Sequence, residues 1–160
     1  METRLKNRKI LWVDDEFQSL RDELRALEFA GAEVTCTGSA NGAFEHLLVQ
    51  QFDLVIIDYR LPPSEPLTVE LDQIRADAKL EPDTNQRGAL LGLWLKRNKP
   101  DTKFFFYTVA TVLAEDALRR ELDPDGRRFV DKLSRSTYGD NFSVVAIAQL
   151  NLGTIVRVAR

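Results

Sequence analysis

Four short apolar runs in this sequence each lead, within two residues, into side chains able to do chemistry. The run at 10–13 (ILWV) is followed by Asp14, Asp15 and Glu16, and the run at 54–57 (LVII) by Asp58. The aromatic run at 104–107 (FFFY) ends on Thr108, and the short run at 128–130 (RFV) is followed by Lys132. If these runs are strands of one sheet, the acids, the hydroxyl and the ammonium collect along its carboxyl edge, where open α/β sheets bind ligands. Three carboxylates gathered there repel one another, and a hard divalent cation with oxygen ligands, Mg²⁺ above all, is the usual relief. Such a cation also neutralises charge developing on a phosphoryl group in transfer. Asp58 could then act as a nucleophile and form an acyl phosphate. Lys132 would pair with a phosphoryl oxygen as a point charge, and Thr108 would donate a hydrogen bond to it.

The elements that must position these groups are legible in the pattern. The apolar runs are short and nearly continuous, as strands of a parallel sheet covered on both faces require. A weaker, alternating strand is expected at 33–37, with Val34 and Cys36 inward. Between the strands lie helical patterns. Leu20, Leu24 and Leu27 recur at helical spacing, with Arg21, Asp22, Glu23 and Arg25 on other faces and Gly31 as the stop. Ser39 is placed to cap a second helix whose apolar face carries Ala43, Phe44, Leu47 and Leu48. A third is expected over about 89–99, a fourth over about 112–122 before the turn at 123–126, and a fifth from about 141 onward. The apolar residues of that last helix are Val144, Val145, Ile147, Ala148, Leu152, Ile155 and Val156, with Gly153 a point of weakness. Strand and helix alternating five times predict an open, doubly wound α/β sheet.

Composition narrows the function. The chain has 160 residues, enough for one domain with a real core, and a formal net charge of −3 that offers no general attraction to nucleic acid or to an anionic membrane. No direct nucleic-acid or membrane partner is expected. Cys36 is the single cysteine, so no internal disulfide can form, and it reads as a small buried hydrophobe. The first eight residues are polar and charged, and no stretch approaches the roughly 18 apolar residues of a membrane span. A cytoplasmic protein is the expectation. His46 reads as a boundary residue of the second helix, Trp12 and residues 104–106 as core, and Trp94 as ambiguous.

Four strings, KILWVDDE at 9–16, DLVIIDYRLP at 53–62, YTVA at 107–110 and FVDK at 129–132, together resemble the receiver domain of bacterial response regulators. They lie in family order and span nearly the whole chain apart from residues 62–87. The resemblance implies a flavodoxin-like, five-stranded parallel sheet of order 2-1-3-4-5 with five surrounding helices. It implies that Asp58 is the phosphoacceptor, that Asp15 binds Mg²⁺ directly with Asp14 helping through water, and that the Arg60 carbonyl completes the ligands. Thr108 then matches the switch hydroxyl, Lys132 the phosphate-pairing lysine, and Phe129 the aromatic residue that changes rotamer. The implied partners are a histidine kinase or phosphotransfer protein as donor, and a downstream protein or a second copy of the chain as recipient.

Two departures stand out. Leu133 follows Lys132 where the family has a cis proline, and a non-proline cis bond costs about 2.5–4 kcal/mol, so this loop is expected to differ. The family's glycine beyond the acceptor is matched by Gly88, which makes about 64–87 an insertion in a single receiver domain. That segment carries Pro63, Pro66 and Pro82 with a small apolar face of Leu67, Val69, Leu71 and Ile74. It is expected to gate the pocket or add partner specificity and to be dispensable for the fold. Two other functions compete. One is a receiver-like interaction module that no longer switches. The other is a phosphohydrolase of the haloacid dehalogenase type, which needs an acid/base Asp at position 60, where Arg stands.

Overall fold

The computed structural model describes residues 4–109, 117–132 and 141–158, with backbone alone for 153–158. Its strands are β1 (Lys9–Val13), β2 (Glu33–Thr37), β3 (Leu54–Ile57), β4 (Lys103–Thr108) and β5 (Phe129–Asp131). All pair in parallel, in the order β2-β1-β3-β4-β5. The order reverses at β1, which lies between β2 and β3. The expected α/β doubly wound sheet is therefore present with its expected strand order.

Side chains of a strand point to alternate faces, so each apolar run feeds two cores at once. Leu11, Val13, Val55, Ile57, Phe104 and Phe106 face one layer; Ile10, Trp12, Leu54, Ile56, Phe105 and Tyr107 face the other. The second layer is covered by α1 (Arg21–Phe29) and by the C-terminal helix, α6 (Phe142–Val158). On α1, Leu20, Ala26 and Leu27 are buried, and Gly31 turns the chain with φ +101°, a value strained for any side chain. Trp12 stacks on Phe142 at 5.3 Å between ring centres.

The first layer is covered by α2 (Ala40–Val49), α3 (Val69–Asp77), α4 (Arg87–Asn98) and the described part of α5 (Ala117–Leu122). Ser39 caps α2 as expected, its Oγ accepting from the Gly42 amide at 3.0 Å. Phe44 of α2 meets Trp94 of α4 edge to face at 5.0 Å, which resolves Trp94 as core.

Several expectations change. Residues 64–87 contain a helix, α3, capped by Thr68, with Leu71 and Ile74 of the expected apolar face buried in the first layer. The helix count beside the sheet is accordingly raised beyond the five that the resemblance implies. Leu48, assigned to the apolar face of α2, is 60% exposed. Among the described side chains of α6, Phe142, Ser143 and Ala146 are buried and the expected Val145 and Ile147 pack partly buried against the second layer, while Val144 is exposed. Gly153 lies within α6 and does not interrupt it. The expected helix over 112–116, and the Lys132–Leu133 peptide, lie outside the described residues. No helix among the described residues is long and apolar enough to cross a membrane.

Candidate functional site

The hydrogen-bond ladder continues one residue past the strand ends and so fixes the acids. The Asp14 amide donates to the Thr37 carbonyl at 3.0 Å, and the Asp58 amide donates to the Val13 carbonyl at 2.8 Å. Asp14 and Asp58 therefore leave adjacent strands at the same level. Register between β4 and β5 places Thr108 beside Asp131, one residue before Lys132.

The side chains converge. Thr108 Oγ1 donates to Asp58 Oδ1 at 2.9 Å, and Lys132 Nζ reaches Asp58 Oδ2 at 3.1 Å and Asp14 Oδ2 at 2.6 Å. The Arg60 amide adds a longer bond to Asp58 Oδ1 at 3.3 Å, and the Glu16 amide donates to Asp14 Oδ1 at 2.8 Å. Burial pushes the Asp58 carboxyl upward from its ordinary range; Lys132 opposes this, and the charge of Asp14 adds to it. Burial pulls the Lys132 ammonium down, but Asp58 and Asp14 outweigh it and hold it above its ordinary value. Lys132 is therefore a charged group tied to two acids at neutral pH.

Carboxylate oxygens of Asp14, Asp15 and Asp58 lie within 4.8 Å of one another. That donor set, oxygen only, suits a hard cation such as Mg²⁺. The three acids differ in setting: Asp14 is wholly buried, Asp58 is half-buried and Asp15 is exposed. Mutual repulsion is thus centred on Asp14 and Asp58, where Lys132 already relieves it, rather than on Asp15.

Gly88 is the residue that lets α4 close on this site. A Cβ there would stand 2.0 Å from the Asp58 carbonyl oxygen, and the Gly88 amide donates to the Tyr59 carbonyl at 3.1 Å. Glycine at position 88 thus has a steric reason. Phe129 packs inward, stacked on Phe106 at 4.8 Å, with the Arg119 guanidinium 4.7 Å above its ring. Of the sequence-predicted site residues, Asp14, Asp15, Asp58, Arg60, Thr108 and Lys132 lie at or beside this carboxyl edge, while Phe129 opens β5 opposite Phe106.

One charged residue beneath the site escaped the sequence reading. Glu23, expected on a solvated face of α1, has no exposed surface and accepts from the Tyr107 hydroxyl at 2.9 Å. Tyr107 immediately precedes Thr108, and its ring lies 5.9 Å from Lys132 Nζ. The signal available was slight: a tyrosine within a fully apolar strand needs a polar partner for its hydroxyl.

Neither a family model nor a curated protein matches this sequence. Solved structures do. A signal receiver domain from Vibrio parahaemolyticus is similar at TM-score 0.63 and 14% identity, over 96% of this chain and 97% of its own. The receiver domain of Francisella response regulator 1452 is similar at TM-score 0.56 and 16% identity, over 87% of this chain and 96% of its own. Response regulator TrrA of Thermotoga maritima, solved in complex with Mg²⁺-BeF, is similar at TM-score 0.54 and 18% identity, over 81% and 96%. This chain has the receiver fold. At these identities the likeness speaks for the receiver backbone, and the chemistry rests on the side chains described above.

Proposed function

We propose that this chain is a phosphoacceptor receiver of two-component signalling, taking a phosphoryl group on Asp58 from a phosphohistidine of a histidine kinase or phosphotransfer protein. The observation that carries the reading is the convergence on one carboxylate of a hydroxyl at 2.9 Å and an ammonium at 3.1 Å, beside two further acids. The reading makes the protein a signalling module.

In the transfer, an Asp58 oxygen attacks phosphorus as the P–N bond breaks, the electron pair leaving with the imidazole. Lys132 exchanges its contact with Asp58 Oδ2 for a phosphoryl oxygen while keeping Asp14, so the ammonium remains paired throughout. Thr108 turns its hydroxyl from Asp58 to the phosphoryl group, and that displacement draws on the end of β4. Phe129, packed on Phe106 of the same strand, is the aromatic residue placed to respond. Hydrolysis reverses the charge change, with water attacking phosphorus and the Asp58 carboxylate leaving. Asp15 and Asp58, with the Arg60 carbonyl and with Asp14 through water, are the groups that would hold Mg²⁺. When bound, the ion supplies neutralisation of the phosphoryl oxygens. A solved receiver fold carrying Mg²⁺-BeF supports that assignment.

The reading also takes residues 1–160 as a single cytoplasmic receiver domain with an insertion at about 64–87, and a protein partner or a second copy as its recipient. The test is intact-mass measurement after incubation with phosphoramidate and Mg²⁺. Wild type should gain one phosphoryl group only when Mg²⁺ is present, and Asp58→Asn none. Equal labelling of the variant would place the acceptor elsewhere and remove the central assignment.

A further inference from the structure

The insertion returns to the site it leaves. The chain enters it from Asp58 through Arg60, Leu61 and Pro62, and its last turn comes back beside them. Leu61 bridges in parallel to Gln86, the Gln86 amide donates to Thr84 Oγ1 at 3.1 Å, and the Gly88 amide reaches the Tyr59 carbonyl at 3.1 Å. The Arg87 side chain, buried at the start of α4, donates from Nη1 to the Glu65 carbonyl and ties the outgoing limb to the returning one. Asn85 stands on this fixed turn. It lines a pocket of about 460 Å³ together with Asp15, Glu16, Asp58 and Arg60.

The lining of that pocket is mixed: Asp15 and Glu16 are acidic, Arg60 is basic and Asn85 is neutral. In-line displacement at phosphorus brings the attacking group from the side opposite the bond that breaks. In hydrolysis of an acyl phosphate on Asp58, that group is water. An acid at that position would repel a phosphoryl group, and an ammonium would hold the phosphoryl group itself. A carboxamide is neutral and offers both an accepting oxygen and a donating NH₂, which suits it to hold one water by hydrogen bonds. Asn85 is the residue of 64–87 that lines this pocket, and the neighbouring Pro62 and Pro63 offer no side-chain donor or acceptor.

We infer that Asn85, supplied by the insertion, orients the water that hydrolyses the acyl phosphate on Asp58, and so sets the lifetime of the phosphorylated state. The step is balanced by water alone: its oxygen bonds to phosphorus, the P–O bond to Asp58 breaks, and inorganic phosphate leaves with the proton released to solvent. The inference rests on the phosphoacceptor reading, which it deepens by giving the insertion a chemical task.

The experiment loads the full chain with phosphoramidate and Mg²⁺, removes the donor, and follows the loss of the phosphoryl mass with time. Asn85→Ala should lengthen the half-life by about tenfold or more, because a positioned water is lost, while the loading rate stays within about twofold. Asn85→Gln, which keeps the carboxamide on a longer stem, should recover part of the hydrolysis rate. Asn85 is exposed on a surface turn, so thermal unfolding of both variants should match wild type. A wild type that never loads would overturn the phosphoacceptor reading and this inference with it. Normal loading with an unchanged Asn85→Ala half-life would overturn this inference alone. So would an equal fall in loading and hydrolysis, which would make Asn85 a phosphoryl-binding group.

Discussion

Lys132 meets Asp14 at 2.6 Å and Asp58 at 3.1 Å, so the repulsion expected among the acids is already balanced inside the fold. This changes what each acid is for. Asp14 is buried and is the permanent partner of the lysine; Asp15 is exposed and free of that duty. The charge of Asp14 extends further, to Cys36 on the neighbouring strand. Burial raises the Cys36 thiol, and Glu28 and Asp14 raise it further. A raised thiol carries less thiolate at any given pH, and the thiolate is the nucleophile. Alkylation of Cys36 by iodoacetamide should therefore reach half its limiting rate at a higher pH than free cysteine does. A rate–pH curve that coincides with free cysteine, or lies below it, would contradict the electrostatics described here.

Helix α3 shows how a short, mostly polar element becomes part of the core. Thr68 caps it, the Asn41 side chain of α2 accepts from the Thr68 amide and donates to the Pro66 carbonyl, and Arg75 holds the Leu80 carbonyl beyond its end. Leu71 is fully buried against the layer that contains α4, and Ile74 nearly so. Val69, two positions before Leu71, is 81% exposed. Leu71→Ala should lower the unfolding free energy by about 2–5 kcal/mol, the range for deleting a buried leucine. Val69→Ala should change it by no more than about 0.5 kcal/mol. Chemical denaturation of the two variants checks the contrast, and equal effects would mean that α3 does not pack as described. For the same reason, replacing residues 64–87 by a Gly/Ser link should lower the melting temperature. The insertion is structural as well as adjacent to the site.

At the scale of the whole molecule, the sheet serves as a frame that brings β1, β3, β4 and β5 to one edge, with a packed layer on each face. The groups at that edge come from positions 14 to 132, so anything that binds them links the ends of four strands. A ligand that binds only the folded state adds stability by mass action, about 2.7 kcal/mol at a concentration a hundredfold above its Kd. Mg²⁺ should accordingly raise the melting temperature of the whole domain, and EDTA should reverse the gain. Asp15→Ala should blunt the Mg²⁺ response without lowering the metal-free melting temperature, because its side chain is exposed. A variant that keeps the full response would take Asp15 out of the ligand set.

Much of this was legible in the order of residues. The strands showed themselves because a parallel sheet buried on both faces demands unbroken apolar runs, and few other structures tolerate them in water. The site followed from the strands, because a parallel sheet places every residue that follows a strand on the same edge. Asp14, Asp58, Thr108 and Lys132 could therefore be gathered without coordinates. Pairings between distant residues could not. That Lys132 takes Asp14 as well as Asp58, and that Tyr107 draws Glu23 into the core, depends on contacts across 118 and 84 positions of sequence. Helical periodicity assigns charged residues to water and cannot register a buried acid whose partner lies on another element. The same limit applies to α3, of which only Leu71 and Ile74 are buried, against the layer that contains α4. Local pattern determined which segments are strands and where the acids stand; only tertiary packing decided which polar groups share protons and which part of the insertion belongs to the core.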